Sequence, residues 1–358
     1  MPFEVNRFAN MRKTLVLSLS LAFWFPLAGD LAAQENTQLA YGPGVADINV
    51  SDKRTDRPLS GDIWFPSNTP GKHSRTDKSK VWQMAPADRD AIMAEGQFPL
   101  LVVSHGMYGN TFNQAWLASE LARRGYIVAM INHPGTSTFL RDPAQARELW
   151  DRPVDISRLI SHLLQDESFG PRIDRNRIFA AGHSLGGFTV MFLAGAEFDN
   201  TRYQSVCGSE PTLVVCEVLK GWSVAETEAD RMEMAASRKD ERVRKVISLD
   251  LGGTPVFSRK SLQQIETPIL VLGSGRADML DQDVESRALA AALPAEFVEH
   301  KEFEDAGHFD FMGVCKPEGF AILKEHEPGD EIVCIKGNTE RVAQHQRILT
   351  EILTFLTQ

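Results

Sequence analysis

The sequence predicts an α/β fold, a doubly wound and mostly parallel sheet that carries a cap-like insertion. Three observations predict it. Continuous apolar runs without alternation, at 98–104, 126–131 and 178–181, mark strands buried on both faces of a parallel sheet. Segments of helical spacing lie between them, at 113–124 and 155–164, with short connections. Finally, a glycine-flanked serine, Ser184 in Gly182-His183-Ser184-Leu185-Gly186-Gly187, stands where an apolar run meets an apolar segment free of strong turn signals. Strand, sharp turn and helix therefore meet at one hydroxyl.

In chain order, Arg12-Lys13 precede an apolar run over 15–25, then Pro26 and small residues ending at Ala32-Ala33. Charged, apolar and cleavage regions in that order make residues 1–33 a secretory signal peptide, removed on export. The apolar run is short for a bilayer crossing, so no stable membrane span is expected in the mature chain. Met11 serves as a start as well as Met1, because residues 1–10 add nothing to the signal. The mature protein is expected in the periplasm or outside the cell, with 41–358 as one folded domain.

Residues 44–50 and 59–65 alternate apolar and polar positions around a charged turn at 52–57, which predicts an antiparallel hairpin. Residues 67–97, rich in Pro, Gly, Ser, Lys and Asp, read as a surface excursion. The run at 98–104 ends at His105-Gly106-Met107-Tyr108-Gly109, the helix over 113–124 stops at Gly125, and the strand at 126–131 closes with Asn132-His133-Pro134-Gly135. The next helix sets Ile156, Leu159, Ile160, Leu163 and Leu164 on one face and stops at Gly170-Pro171. Residues 198–242 break the alternation with two cysteines, Trp222 and a charge-dense stretch, and are expected to form a helical insertion over the sheet edge. Strands resume at 246–249, 268–272 and 296–303; an irregular insertion fills 313–337, and 341–356 is a closing amphipathic helix.

With 358 residues, 43% hydrophobic and 24% charged, the chain has the composition of an ordinary globular domain. A formal net charge of -10 argues against nucleic acid or an anionic membrane surface as a partner, since both reward Lys and Arg. The four cysteines suit export: Cys207 with Cys216 and Cys315 with Cys334 are the expected bridges, of three possible connectivities. No C-x-x-C spacing points to zinc.

Nucleophilic catalysis by a serine needs a base to take its proton, a carboxylate to orient that base and two donors for the oxyanion. All must gather at the carboxyl edge of the sheet. Ser184, then Asp250 or Asp278, then His308 each follow a predicted strand, in the order nucleophile, acid, histidine. Gly182 and Gly186 lack Cβ atoms where other segments press on the turn. The N–H of Leu185, at the positive end of a helix, and the N–H of Met107, after His105-Gly106, are the expected oxyanion donors. His105 is expected to hydrogen-bond within its loop and His183 to point away along its strand. Trp116, Phe139, Trp222 and Phe257 are candidates for lining an acyl or leaving-group pocket.

The residues Ser104-His105-Gly106-Met107, Gly182-His183-Ser184-Leu185-Gly186-Gly187, Asp278 and Gly307-His308-Phe309-Asp310-Phe311 resemble the α/β-hydrolase superfamily. Within it the chain is similar to the platelet-activating-factor acetylhydrolase and dienelactone-hydrolase-like group, from about residue 48 to the C-terminus. The resemblance implies a serine carboxylester hydrolase that cleaves small-molecule esters of short acyl groups, with no metal or organic cofactor. Dienelactone hydrolases proper use a cysteine where this chain has Ser184. On the acid the resemblance divides: most α/β-hydrolases place it after the strand at 268–272, which selects Asp278, and the acetylhydrolases place it one strand earlier, which selects Asp250. Asp278 is the expected acid, because its strand lies nearer the His308 loop, with Asp250 the alternative. Two other activities fit the same residues: an acyltransferase that resolves the acyl-enzyme with an alcohol, and a non-catalytic binding protein. Binding proteins of this fold usually lack the serine, the histidine or the oxyanion glycine, and this chain has all three.

Overall fold

The structure is a computed structural model that describes residues 39–51, 57–68, 79–335 and 338–358. The signal-peptide reading of 1–33 and the hairpin turn at 52–56 lie outside the described residues.

Strands β1 (Gly42–Val50) and β2 (Leu59–Ser67) make the expected antiparallel hairpin, pairing Val50 with Leu59 and Gly42 with Ser67. Next come β3 (Phe98–Ser104), α1 (Ala115–Ala122) and β4 (Ile127–Asn132). A small ribbon of β5 (Thr136–Ser137) and β6 (Leu140–Arg141) precedes the short α2 (Pro143–Arg147) and the long α3 (Asp151–Gln165). Strand β7 (Ile173–His183) then turns into α4 (Leu185–Ala194). The 198–242 insertion is three helices, α5 (Asn200–Ser209), α6 (Val214–Gly221) and α7 (Glu228–Ala235). The remaining elements are β8 (Val243–Leu249), α8 (Arg259–Leu262), β9 (Ile269–Ser274), α9 (Ser286–Ala292), β10 (Val298–Phe303), α10 (Gly319–His326) and α11 (Asn338–Thr357).

Eight strands form one sheet in the order β1-β2-β4-β3-β7-β8-β9-β10, antiparallel across β1-β2-β4 and parallel beyond. The pleat sorts its side chains to two cores. Leu100 and Val102 of β3 face Ile156, Leu159 and Ile160 of α3 and Val190 of α4; Leu101 and Val103 face Leu117 and Leu121 of α1 with Ile348 and Ile352 of α11. Because helices cover both faces, both sets must be apolar, and the strand reads as an unbroken run. Each such fully buried aliphatic side chain favours folding by about 1.5–3 kcal/mol.

The irregular parts depart from expectation in two places. Residues 79–95 are more than a surface excursion: Trp82, Ala87 and Ala94 are buried, and backbone hydrogen bonds tie Gln83 to Val314, Lys316 to Val81, and Asp88 to Pro43. Polar composition hid this, since the ties run through the main chain. Residues 313–337 contain the regular helix α10, with Cys315 bridged to Cys334 around it. The second bridge joins Cys207 of α5 to Cys216 of α6. Local capping explains why the 198–242 segment is helical: Asp199 accepts from the N–H groups of Thr201 and Arg202, and Thr227 and Asp230 form a capping box on α7. Val215, Leu219, Trp222 and Met234 bury this insertion in the core.

Replacing both Cys315 and Cys334 by serine is expected to lower stability by about 3 kcal/mol, as for other loops of this size. The urea midpoint checks it; a midpoint equal to that of the parent chain would contradict the expectation.

Candidate active site

Ser184 lies at the carboxyl end of β7, the central parallel strand, and begins α4 with φ 55° and ψ -121°. A left-handed backbone at a residue with a Cβ costs about 1–3 kcal/mol, so the surroundings must impose it. They do so by close approach. A Cβ on Gly182 would run into the backbone of Gly186, and one on Gly186 would run into the carbonyl of Ser104 at the end of β3. The Ser184 N–H is in turn bonded to the Leu249 carbonyl of β8 (3.0 Å).

His308 follows β10 in a tight turn whose Asp310 carboxylate accepts from the N–H of Gly307 (2.8 Å) and from Arg276 Nη2 (2.7 Å). Its Nε2 accepts from Ser184 Oγ (3.0 Å), and its Nδ1–H donates to Asp250 Oδ2 (2.6 Å). Asp250 stands at the end of β8 with φ 47° and is fully buried. Oδ1 also accepts from the N–H of Ser274 (2.7 Å) and from Gln282 Nε2 (2.9 Å), and Oδ2 from Ser274 Oγ (3.1 Å). Burial alone would raise this carboxyl; the hydrogen bond and charge of His308 and the Ser274 N–H outweigh it and hold the group below its ordinary value.

The expected acid, Asp278, is corrected by this geometry. Its Oδ1 accepts from the main-chain N–H of His308 (3.1 Å), and its side chain stays 42% exposed beside Arg276. Asp278 thus steadies the loop and does not touch the ring. The reason is the sheet order: the His308 ring reaches back from β10 toward Ser184 on β7, and its far nitrogen comes down over β8, the strand between β7 and β9. Proximity of β9 to the histidine loop therefore selects the wrong strand. Asp250 occupies the position that the acetylhydrolase resemblance implies.

Met107 and Leu185 line one cavity together with Ser184 and His308, on the two segments that flank the hydroxyl. The loop carrying Met107 comes so close that a Cβ on Gly106 would lie 3.3 Å from Ser184 Cβ. Beneath it is a buried polar network with no linear signature in the sequence. Arg152 donates to Thr189 Oγ1 of α4 (2.9 Å), Thr136 Oγ1 (2.6 Å), Ser104 Oγ (3.1 Å) and the His105 carbonyl. His133 receives Ser104 Oγ–H on Nε2 (3.0 Å) and donates from Nδ1 to Asp155 (3.0 Å), which Arg57 clamps with two bonds of 2.9 Å. Burial lowers the Arg152 guanidinium to about 9 and pushes His105 and His133 well below the ordinary imidazole value.

His105 bonds within its loop, Nδ1–H to the Gly106 carbonyl (2.7 Å), while Nε2 accepts from the His133 N–H (3.0 Å). His183 donates from Nε2 to the His308 carbonyl (2.9 Å), and burial takes it down to about 3. As a neutral ring it packs on the His308 ring, centroids 4.7 Å apart, and borders the cleft, so the expectation that it points away from the site is corrected: the bend at Ser184 turns the last β7 side chain toward the His308 loop. Of the four aromatic pocket candidates, Phe139 lines the cleft at Ser184; Trp116 stacks on His345, Trp222 meets Tyr108, and Phe257 belongs to the core. Among the described residues no cluster of His, Cys, Asp and Glu is arranged to hold a metal, and no helix is long and apolar enough to cross a membrane.

The family model described as the alpha/beta hydrolase family matches residues 100–321, more than half of the chain. A bis(hydroxyethyl) terephthalate hydrolase of Streptomyces coelicolor is 25% identical over 160 residues, 44% of this chain and 41% of that protein. A cutinase 2 of Thermobifida cellulosilytica is 30% identical over 102 residues, 28% of this chain and 35% of that one. The chain thus spans less than half the length of these curated relatives. Among solved structures, a ferulic acid esterase from Streptomyces cinnamoneus superposes with a TM-score of 0.58 at 19% identity, covering 90% of this chain and 91% of the other.

Asp250→Asn is expected to lower turnover on the order of 10⁴-fold, as removal of an orienting acid does, whereas Asp278→Asn costs less than about tenfold because Asp278 bonds the His308 main chain and pairs with Arg276 without reaching the ring. Parallel kcat measurements decide, and equal losses would refute the assignment. A second expectation concerns Glu285, whose Oε2 accepts from the N–H groups of Gly253 and Thr254 beside the Asp250 loop. Burial raises its carboxyl from 4.5 to about 8, so between those values the folded chain holds a proton that the unfolded chain has lost. The stability this group contributes is complete below the lower value and is lost as pH rises through the upper one. Glu285→Gln should flatten that decline in urea melts between the two pH values.

Proposed function

The chain belongs to the alpha/beta hydrolase family, and on that premise we propose that it is an exported serine hydrolase cleaving small-molecule carboxylic esters of short acyl groups through an acyl-enzyme. The observation that carries this reading is the chain of hydrogen bonds from the half-buried Ser184 Oγ through the two nitrogens of His308 to the buried Asp250, at 3.0 and 2.6 Å. Ser184 attacks the ester carbonyl as His308 Nε2 takes its proton. Asp250 keeps the other proton on Nδ1 and stabilises the imidazolium that forms. The N–H groups of Met107 and Leu185 receive the oxyanion at the start of α4, where the helix dipole favours negative charge. His308 then returns its proton to the departing alkoxide, and a water deprotonated at the same nitrogen releases the acid.

The relative named a bis(hydroxyethyl) terephthalate hydrolase supports ester cleavage as the reaction. Export, to the periplasm or the medium, rests on the three-part leader at 1–33 together with two disulfides, which oxidising compartments preserve. No chemical step in this scheme calls for a metal or an organic cofactor. An acyl-enzyme resolved by an alcohol would make the protein a transferase, and the products separate the two.

A fluorophosphonate probe is expected to label the chain at Ser184, located by peptide mapping, and Ser184→Ala is expected to abolish both labelling and ester cleavage. Full ester cleavage by Ser184→Ala would end the proposal. Products formed in mixed water and alcohol should be the free acid; a predominance of transferred ester would assign the transferase activity instead.

A further inference from the structure

Two cavities of different character meet at the reactive hydroxyl, and Met107, Ser184, Met279 and His308 form the neck between them. The smaller measures about 50 Å³ and is walled by Phe188 of α4, by Leu280, and by Val214, Val218 and Leu219 of α6. Apart from Ser184 and His308, its lining carries no polar side chain. At roughly 15 Å³ of such space for one water-sized group, it admits on the order of three carbons beyond a carbonyl. Cys216 ties α6 to Cys207 of α5, so this wall is a fixed one.

The larger cavity, about 300 Å³, runs between residues 79–82 and the insertion that carries Cys315 and Cys334. Trp82, Tyr108, Phe112, Phe139 and Phe309 supply aromatic faces along it, and Phe139 is 60% exposed at its mouth. Arg141 closes over the Tyr108 ring at 4.5 Å and pairs with Glu327 and Asp330, which also line the cleft. Its floor is aromatic and its rim is charged.

Chemistry decides which limb of an ester enters which cavity. His308 Nε2 protonates the departing oxygen and must then take a proton from water at the same place. The leaving limb therefore departs by a route that water can retrace. A dry apolar cavity gives water no partners, whereas the open cleft does.

Resting on the serine-hydrolase reading, we propose that the narrow cavity is the acyl pocket, that Val218 and Leu219 of α6 cap the acyl chain at propionyl to butyryl length, and that the wide cleft binds a bulky aromatic leaving limb. The 198–242 insertion is thus the element that sets acyl length. The described part of the other insertion, 313–335, on the opposite side of the neck, sets the alcohol.

The experiment uses the full chain and two ester series: nitrophenyl esters of graded acyl length, and propionate esters of alcohols graded from ethyl to naphthyl. The parent is expected to prefer propionate and butyrate over octanoate and to favour the aryl alcohols. Leu219→Ala should raise the hexanoate-to-propionate ratio of kcat/KM by about tenfold, the order of effect of a methylene or more in an apolar pocket, and Val218→Phe should lower it. Neither should reorder the alcohol series; Phe139→Ala should flatten that series and leave the acyl profile alone. Labelling of Ser184 by a small fluorophosphonate reports that each variant is folded. The inference is overturned if labelled α6 variants keep the parent's acyl profile, or if the parent tolerates long acyl chains and discriminates by alcohol size at the narrow cavity. Absence of ester cleavage by a parent chain whose Ser184 takes no label refutes the hydrolase reading itself, so the two failures are distinct.

Discussion

The close approach of Gly186 to the end of β3 is the constraint on which the site depends. With no Cβ at Gly186, the α4 backbone can lie against the Ser104 carbonyl, and the same contact brings the Met107 loop up beside Ser184. One backbone contact thus sets the strained turn at Ser184 and the approach of the Met107 loop to it. The strain at Ser184, about 1–3 kcal/mol, is held by the packing of β3, β7, β8 and α4, each of which is buried in a core that helices cover on both sides. A single added methyl at this point would separate strand, turn and loop together.

Below the contact, buried charge does the work of alignment. An unpaired ion in such a place costs several kcal/mol, and each one here has partners. Arg152 binds three segments at once: the Ser104 hydroxyl with the His105 carbonyl, the Thr136 ribbon, and Thr189 on the first turns of α4. Asp155 and Arg57 neutralise each other beside it. Three neighbouring histidines, His105, His133 and His183, are pushed below the ordinary imidazole value by burial; His105 and His133 have both ring nitrogens on fixed partners, and His183 donates from Nε2 to the His308 carbonyl. His308 alone among them has one nitrogen on Ser184 and the other on a carboxylate.

Legibility followed the physics of each segment. The parallel strands read clearly from the sequence because a strand covered on both faces must be apolar at every position, as 98–104 is. Ser184 and its glycines read clearly because a strained turn restricts residue types at fixed offsets. Residues 79–95 did not, since main-chain hydrogen bonds to Val314 and Pro43 leave no mark on side-chain identity. Nor did Arg57, Arg152 and Asp155, which are isolated charges in sequence and become a network only when four segments converge.

The sequence by itself determined the alternation of strand and helix, the serine turn, the histidine that follows the last strand and a cysteine set open to two short bridges, because each is written in local periodicity or local spacing. Tertiary structure alone decided which carboxylate meets His308. Asp250 and Asp278 both end a strand, and only the lateral order β7-β8-β9 shows that the imidazole, reaching across to Ser184, meets Asp250 and passes Asp278 by. The division of space beside Ser184 was likewise invisible in sequence, since the walls of its two cavities come from insertions far apart along the chain, and their separation is a property of packing, which no linear spacing encodes.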